Sequence, residues 1–227
     1  MSDNPQGSLT LAAHVRRYVL DAIARGELTP GMAVDEQALC KRFETSRTPV
    51  REAMLQLAAE GFVSSSARGG ATVPRLTIAR LREQLELLAE LEAAAAKYAT
   101  RRMNRTQLDG LRTLFEQSEA AAQRGGDPKA YEQANDRFHD AIYSAACNDA
   151  LVQQIRSIRL RCAGYTLDRF ESAGRIQKSV EEHRRLLAAI ESGDPDRAHA
   201  AMLEHIGIGG RDFSEFVSRL PVAYIAG

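Results

Sequence analysis

The sequence predicts a mainly α-helical protein in two parts, three short helices closed by a β-hairpin and then an all-α bundle. Three observations carry this. Apolar residues recur at helical spacing through most of the chain; between Phe62 and Val73 the pattern changes to two short strand-like runs around glycines; after Leu76 every periodic stretch is again helical. With 227 residues, 44% of them apolar, the chain has material for two packed domains and is too apolar to be disordered.

Residues 1–8 are polar, contain Pro5 and Gly7, and are expected to form a loose arm. From Leu9 to Arg25, the spacing of Leu11, Val15, Val19, Leu20 and Ile23 predicts a helix that Gly26 closes, and Leu28-Thr29-Pro30-Gly31 reads as a turn. A short helix over 36–43 and a turn at Glu44–Arg47 precede a helix from Thr48 to Glu60, with Pro49 suited to its first turn and Gly61 at its end. Phe62–Ser65 and Ala71–Val73 flank Ser66–Gly70 as a hairpin, which Pro74 stops. Helix, helix, helix, hairpin is the order of a winged helix-turn-helix, assigned to residues 1–75.

Residues 76–227 form the second domain, with helices expected near 77–100, 106–123, 128–147, 149–171, 174–192 and 195–219. Start signals are Thr106 with Asp109, Asp127 before Pro128, and Asp194 before Pro195. Breaks fall at Gly125-Gly126, Ser172-Ala173-Gly174 and Ser192-Gly193, while Gly207, Gly209 and Gly210 predict a kink in the last helix. The alanines Ala93–Ala96 permit close helix packing.

Composition narrows the function. Net charge is zero, yet the stretch from Gln37 to Arg75 holds Lys41, Arg42, Arg47, Arg51, Arg68 and Arg75 against Glu44, Glu52 and Glu60, a local excess of +3. Cys40, Cys147 and Cys162 form no CxxC pair, so neither a zinc ribbon nor a redox motif is expected; buried free thiols suit a reducing cytosol. The opening MSDNPQGSLT lacks the pattern of a secretory leader, and no apolar run approaches a membrane span, so a cytoplasmic location without a membrane partner is expected. There is no HExxH and no evident general base tied to a metal ligand, which argues against an enzyme.

In the helix from Thr48, Val50, Met54, Leu57 and Ala58 form an inward stripe, leaving Arg47, Thr48, Arg51, Leu55 and Gln56 outward. Such a helix can present arginines to guanine edges and its positive dipole end to phosphate. The segment from Gly26 to Val73 closely resembles the GntR family, on Pro30-Gly31, Glu36, Leu39, Ser46-Arg47-Thr48-Pro49-Val50-Arg51-Glu52-Ala53, Leu57, Gly61 and the wing glycines. The resemblance implies a homodimeric transcription factor on a palindromic double-stranded operator. It also implies DNA contacts from Ser46, Arg47, Thr48 and Arg51, and a wing at Arg68, Gly69 and Gly70. Gln37 stands where fatty-acid-responsive relatives carry a DNA-contacting arginine.

The helical region resembles the C-terminal effector domain of the FadR subgroup, the FCD domain. The resemblance rests on Glu90-Leu91-Glu92, Asn135-Asp136-Arg137-Phe138-His139, Ser179-Val180-Glu181-Glu182-His183, and Ala198, Met202, His205 and Ile206. It implies a divalent metal, zinc with nickel or manganese as alternatives, held by Asn135, His139, His183 and His205. The chemistry is coherent: Asn135 and His139 lie one helical turn apart, and imidazole suits borderline metals. Asn135 replaces a commoner aspartate, with Asp136 as the alternative oxygen donor. Open coordination positions would accept a carboxylate effector. Leu88 replaces a carboxylate-clamping arginine of relatives, so Arg175 and Ser179 are the candidate effector-binding groups. Since imidazole must be neutral to coordinate, metal affinity is expected to fall below pH about 6.5.

Overall fold

The computed structural model describes residues 10–65, 70–123, 127–167, 169–171, 174–207 and 210–226. Among these the chain forms two compact units. The first holds the described residues of Met1–Leu81, Leu160–Leu167 and Ser218–Gly227; the second holds those of Arg82–Arg159 and Asp168–Val217.

In the first unit, α1 (Leu11–Ala24) starts at Thr10, whose hydroxyl accepts from Ala13 N–H, and it packs against α3 (Arg47–Ala59). The short α2 (Glu36–Arg42) is capped by Asp35, whose carboxylate accepts from Ala38 N–H. Val15, Val19, Leu39, Val50, Leu57 and Phe62 form the core. The turn between α2 and α3 puts Glu44 at φ 48°, a left-handed conformation in a residue with a side chain.

The hairpin is part of a three-stranded antiparallel sheet, ordered β1 (Ala33–Val34), β3 (Ala71–Thr72), β2 (Ser64–Ser65). Val34 pairs with Ala71 and Ser65 with Ala71 across the two edges. The strand β1 was not expected, because two residues are too few to show a period of two.

The second unit is helical: α4 (Ile78–Arg102) from Arg82 onward, α5 (Arg105–Gln123), α6 (Pro128–Ala145), α7 (Asp149–Thr166) up to Arg159, α8 (Arg175–Glu191), α9 (Pro195–Ile206), and α10 (Gly210–Arg219) up to Val217. Ala93, Ala96 and Ala99 are fully buried, as close packing requires. Asp127 and Asp194 cap α6 and α9 as expected. The start of α5 differs: Asn104 and Gln107 form a reciprocal capping box, each side chain accepting from the other's backbone N–H at 2.9 Å, so the signal is two residues earlier than Thr106.

The expected 195–219 helix is two helices rather than one kinked helix. α9 stops at Ile206, Gly207 turns extended at ψ 127°, and α10 begins at Gly210. Three glycines in four positions make continuation costly. Likewise α7 ends at Thr166, short of the expected 171. The 1–8 arm, the Gly125-Gly126 and Ser172-Ala173 breaks, Gly209, and the wing residues Arg68 and Gly69 lie outside the described residues.

Candidate metal centre and nucleic-acid interface

Three helices of the second unit each deliver one histidine to a single point. His139 projects from α6, His183 from α8 and His205 from α9, all buried. Their Nε2 atoms form a nearly equilateral triangle, at 3.2 Å between His139 and His183, 3.2 Å between His139 and His205, and 3.1 Å between His183 and His205.

The opposite ring nitrogens fix what these atoms are. His205 Nδ1 lies 2.8 Å from Glu182 Oε2, and His139 Nδ1 lies 3.3 Å from Glu92 Oε2. An ionised carboxylate only accepts, so both histidines carry their proton on Nδ1 and turn an Nε2 lone pair inward. A proton on His183 Nε2 could bond one of those lone pairs but not both. Three converging nitrogens without a cation are therefore electrostatically frustrated. A metal at about 2.0–2.1 Å from each nitrogen would see angles of roughly 100°, between octahedral and tetrahedral values. The donor set fits a divalent borderline ion bound on one face, with further positions open.

The supporting carboxylates were missed as such by sequence reasoning, although both lie inside the motifs quoted above. Glu92 of α4 is fully buried and gripped by the fork of Arg159 on α7, with Nε donating to Oε1 at 2.8 Å and Nη2 to Oε2 at 3.1 Å. Burial pushes its carboxyl up, but Arg159 and the His139 bond outweigh this and hold it far below the usual carboxylate range. Glu182 of α8 also accepts from Arg175 Nη1 at 3.0 Å. Thus Arg175, expected to meet an effector, is engaged behind His205. Carboxylates behind metal-bound imidazoles fix the tautomer and raise ligand basicity. No periodicity shows a glutamate's partner.

Burial lowers the histidines' own pKa values, His139 to about 4 and His183 well below the ordinary value, so the cluster is held neutral, as coordination requires. The onset of proton competition at His139 therefore lies lower than the 6.5 expected of an ordinary imidazole. The folded pKa is depressed, so this group contributes stability that is present above about 6.5 and lost as pH falls toward 4. Metal-free protein melted from pH 7.5 down to 4.5 should lose stability mainly below 6.5, and His139→Gln should flatten that slope. An identical slope in the variant would contradict the assignment.

Asn135 is buried one turn before His139, and its Nδ2 donates to Asp136 Oδ1 at 3.1 Å, leaving the amide oxygen as the atom a cation would use. Asp136 is half exposed and pairs with Arg169 at 3.4 Å and Arg159 at 3.7 Å. Among the described residues, the buried His183 Nδ1 has no hydrogen-bond partner, and the buried Tyr131 Oη and Ser179 Oγ, on α6 and α8, have none but each other. Tyr131, Asn135 and His139 repeat at i, i+4, i+8 on α6, and Arg175, Ser179 and His183 do the same on α8. A separate groove of about 950 Å³ between α4, α8 and α9 is lined by Glu83, Glu86, Glu90, Glu182 and Glu204, with Lys178 and Arg185. Of its described lining residues, Glu182 is bonded to the histidine cluster, through His205.

In the first unit, α3 buries Val50, Ala53, Met54 and Leu57 and leaves Arg47, Thr48 and Arg51 exposed on the outer face. Ser46 occupies its N-cap position, but its hydroxyl makes no capping bond. Leu55 is exposed, and Gln56 Nε2 is tied to Glu52 Oε1 at 3.2 Å. Gln37 is exposed on α2, and Gly70 is exposed at φ 94° beside β3.

Comparison with known proteins agrees with this architecture. The family described as "Bacterial regulatory proteins, gntR family" matches residues 11–73, and the "FCD domain" matches residues 83–207. A "Probable D-xylose utilization operon transcriptional repressor" of Paenarthrobacter nicotinovorans is 30% identical over 87% of this chain and 86% of its own length. "HTH-type transcriptional regulator LutR" of Bacillus subtilis is 27% identical over 81% of this chain and 92% of its own. The solved structure of E. coli McbR/YncC superposes with a TM-score of 0.77 at 24% identity, covering 93% of this chain and 99% of that one. These relatives are regulators rather than enzymes. The chain belongs to the GntR family and is a DNA-binding transcriptional regulator with an FCD domain.

Proposed function

We propose that this regulator reads a small organic acid through a divalent metal, zinc with nickel or manganese as alternatives, held by His139, His183 and His205 with Asn135 as the oxygen ligand. The observation that carries this is the convergence of three buried Nε2 atoms, at least two of them lone pairs, on one point. The metal would supply a Lewis-acid anchor for an effector carboxylate. The chain's own residues would do the rest: Glu92 and Glu182 orient the imidazoles, and the buried Tyr131 and Ser179 hydroxyls, with no partner among the described residues but each other, offer their remaining bonds to polar groups of the effector. The acidic groove, by contrast, repels carboxylates.

A panel of organic acids, including sugar acids because one relative is named for D-xylose utilization, tests the reading by thermal shift on metal-loaded protein. A ligand that raises the melting temperature of wild type and less so of Ser179→Ala supports it; no response to any acid contradicts it.

In this reading residues 1–75 hold DNA as a homodimer on a palindromic operator, with Ser46, Arg47, Thr48 and Arg51 in the major groove and the wing 68–70 in the minor groove. The exposed outer face of α3 supports it. Replacing Arg47 or Arg51 with Ala should cost about 1–3 kcal/mol of operator binding if each reads a base. Titration of operator and scrambled DNA at fixed salt checks this; unchanged affinity for both DNAs in the double variant removes the assignment. Light scattering that finds only monomers, with and without DNA, removes the dimer.

A further inference from the structure

We infer that α7 transmits the state of the histidine centre to the segment joining β3 to α4, with Tyr165 as the positioning residue that makes the connection. The inference rests on the metal reading above. α7 supplies residues to both compact units, through Arg159 to the second and from Leu160 to the first. In the second unit Arg159 grips Glu92, whose Oε2 also meets His139 Nδ1. Coordination of His139 Nε2 makes its Nδ1–H a stronger donor, so Glu92 gives more of its charge to His139 and less to Arg159. A change at the metal is thereby felt on α7.

Six residues further along, Tyr165 is 4% exposed and lies within the first unit's network. Its Oη accepts from Leu76 N–H at 2.8 Å and donates to Tyr224 O at 3.0 Å. The remaining backbone group of Leu76 is also held, its carbonyl accepting from Ala226 N–H at 3.0 Å beside a parallel bridge to Ile225. Leu76 thus carries a strap made by 224–226 and the α7 tyrosine, two residues before α4. Upstream, Val73 exchanges backbone bonds with Gly31 and Met32, which continues the edge of the small sheet. α7 cannot slide freely here: a Cβ on Gly164 would lie 2.5 Å from Pro30 Cδ. A packed helix with no slack at one end and a charged clamp at the other moves between discrete positions rather than yielding continuously.

Amide hydrogen exchange by mass spectrometry tests this, with zinc chloride alone as the probe. In wild type, zinc should slow exchange around 135–143 and, by about fivefold, at 73–78. Tyr165→Phe keeps the ring and loses the hydroxyl. It should bind the same zinc and keep the protection at 135–143 while losing that at 73–78. Equal protection of 73–78 in the variant, or wild-type protection confined to 135–143, overturns the inference. Failure of the metal reading shows separately, as wild type that takes up no zinc. The metal-free proteins then decide. Arg159→Lys, which keeps the charge but not the fork, should speed exchange at 73–78 about fivefold alone and not further in the Tyr165→Phe background. Additive effects of the two substitutions overturn the inference.

Discussion

Zinc added to metal-free protein should raise the melting temperature of the transition that contains the second unit by about 10 °C, and His183→Ala should abolish that rise. An ion that binds only the native state contributes about 4 kcal/mol when it exceeds its dissociation constant roughly a thousandfold. For a protein of this size each kcal/mol corresponds to about 2–4 °C. The variant also separates metal support from packing. In chelator, His183→Ala removes one of three converging nitrogens, so the loss of ring contacts, including the stack on Phe138 at 4.6 Å, is partly offset by relief of the frustrated cluster. Its melting temperature should then lie near or only modestly below that of metal-free wild type. Scanning calorimetry with and without zinc distinguishes the cases, and an equal zinc-induced rise in both proteins contradicts the site.

Glu92→Gln should destabilise the second unit by about 3 kcal/mol and weaken zinc binding by about 10–100-fold. The carboxylate is fully buried between two donors, whereas the Arg159 side chain is 23% exposed, so the lower end of the range for a broken buried pair applies. An amide keeps the volume but leaves the guanidinium only the half-exposed Asp136, 3.7 Å away, as counter-charge, and it no longer dictates which nitrogen of His139 carries the proton. Denaturant unfolding of metal-free protein reads the first effect and zinc titration the second. A variant within twofold of wild type in zinc affinity would show that Glu92 is packing alone.

Much of this molecule is legible in the amino-acid order because its signals are local. Asp127-Pro128 and Asp194-Pro195 announce helix starts that are found where the caps form. The inward stripe of Val50, Met54 and Leu57 orients α3 before any tertiary contact is known. The three histidines read together because each sits in a motif on its own helix. Partnership across helices is not legible. Glu92 lies 47 positions before His139 (139 − 92), and nothing in its neighbourhood tells that its oxygens face Arg159 and an imidazole. Arg175 is a candidate effector group in the sequence because Leu88 replaces a carboxylate-clamping arginine, and nothing local shows that its guanidinium meets Glu182. The two-residue strand β1 falls below what periodicity can detect, since it is set by pairing with β3; the glycines at 207, 209 and 210 do signal an interruption, but not that it is a full break rather than a kink.

The most direct test of the three-histidine centre is elemental analysis of protein purified without chelator, wild type beside the His139→Ala/His183→Ala/His205→Ala triple variant. The geometry predicts about one divalent ion per chain in wild type and none in the variant, since three nitrogens within 3.2 Å of one another can share only one ion. Wild type that carries no metal, or a variant that carries as much as wild type, would contradict it.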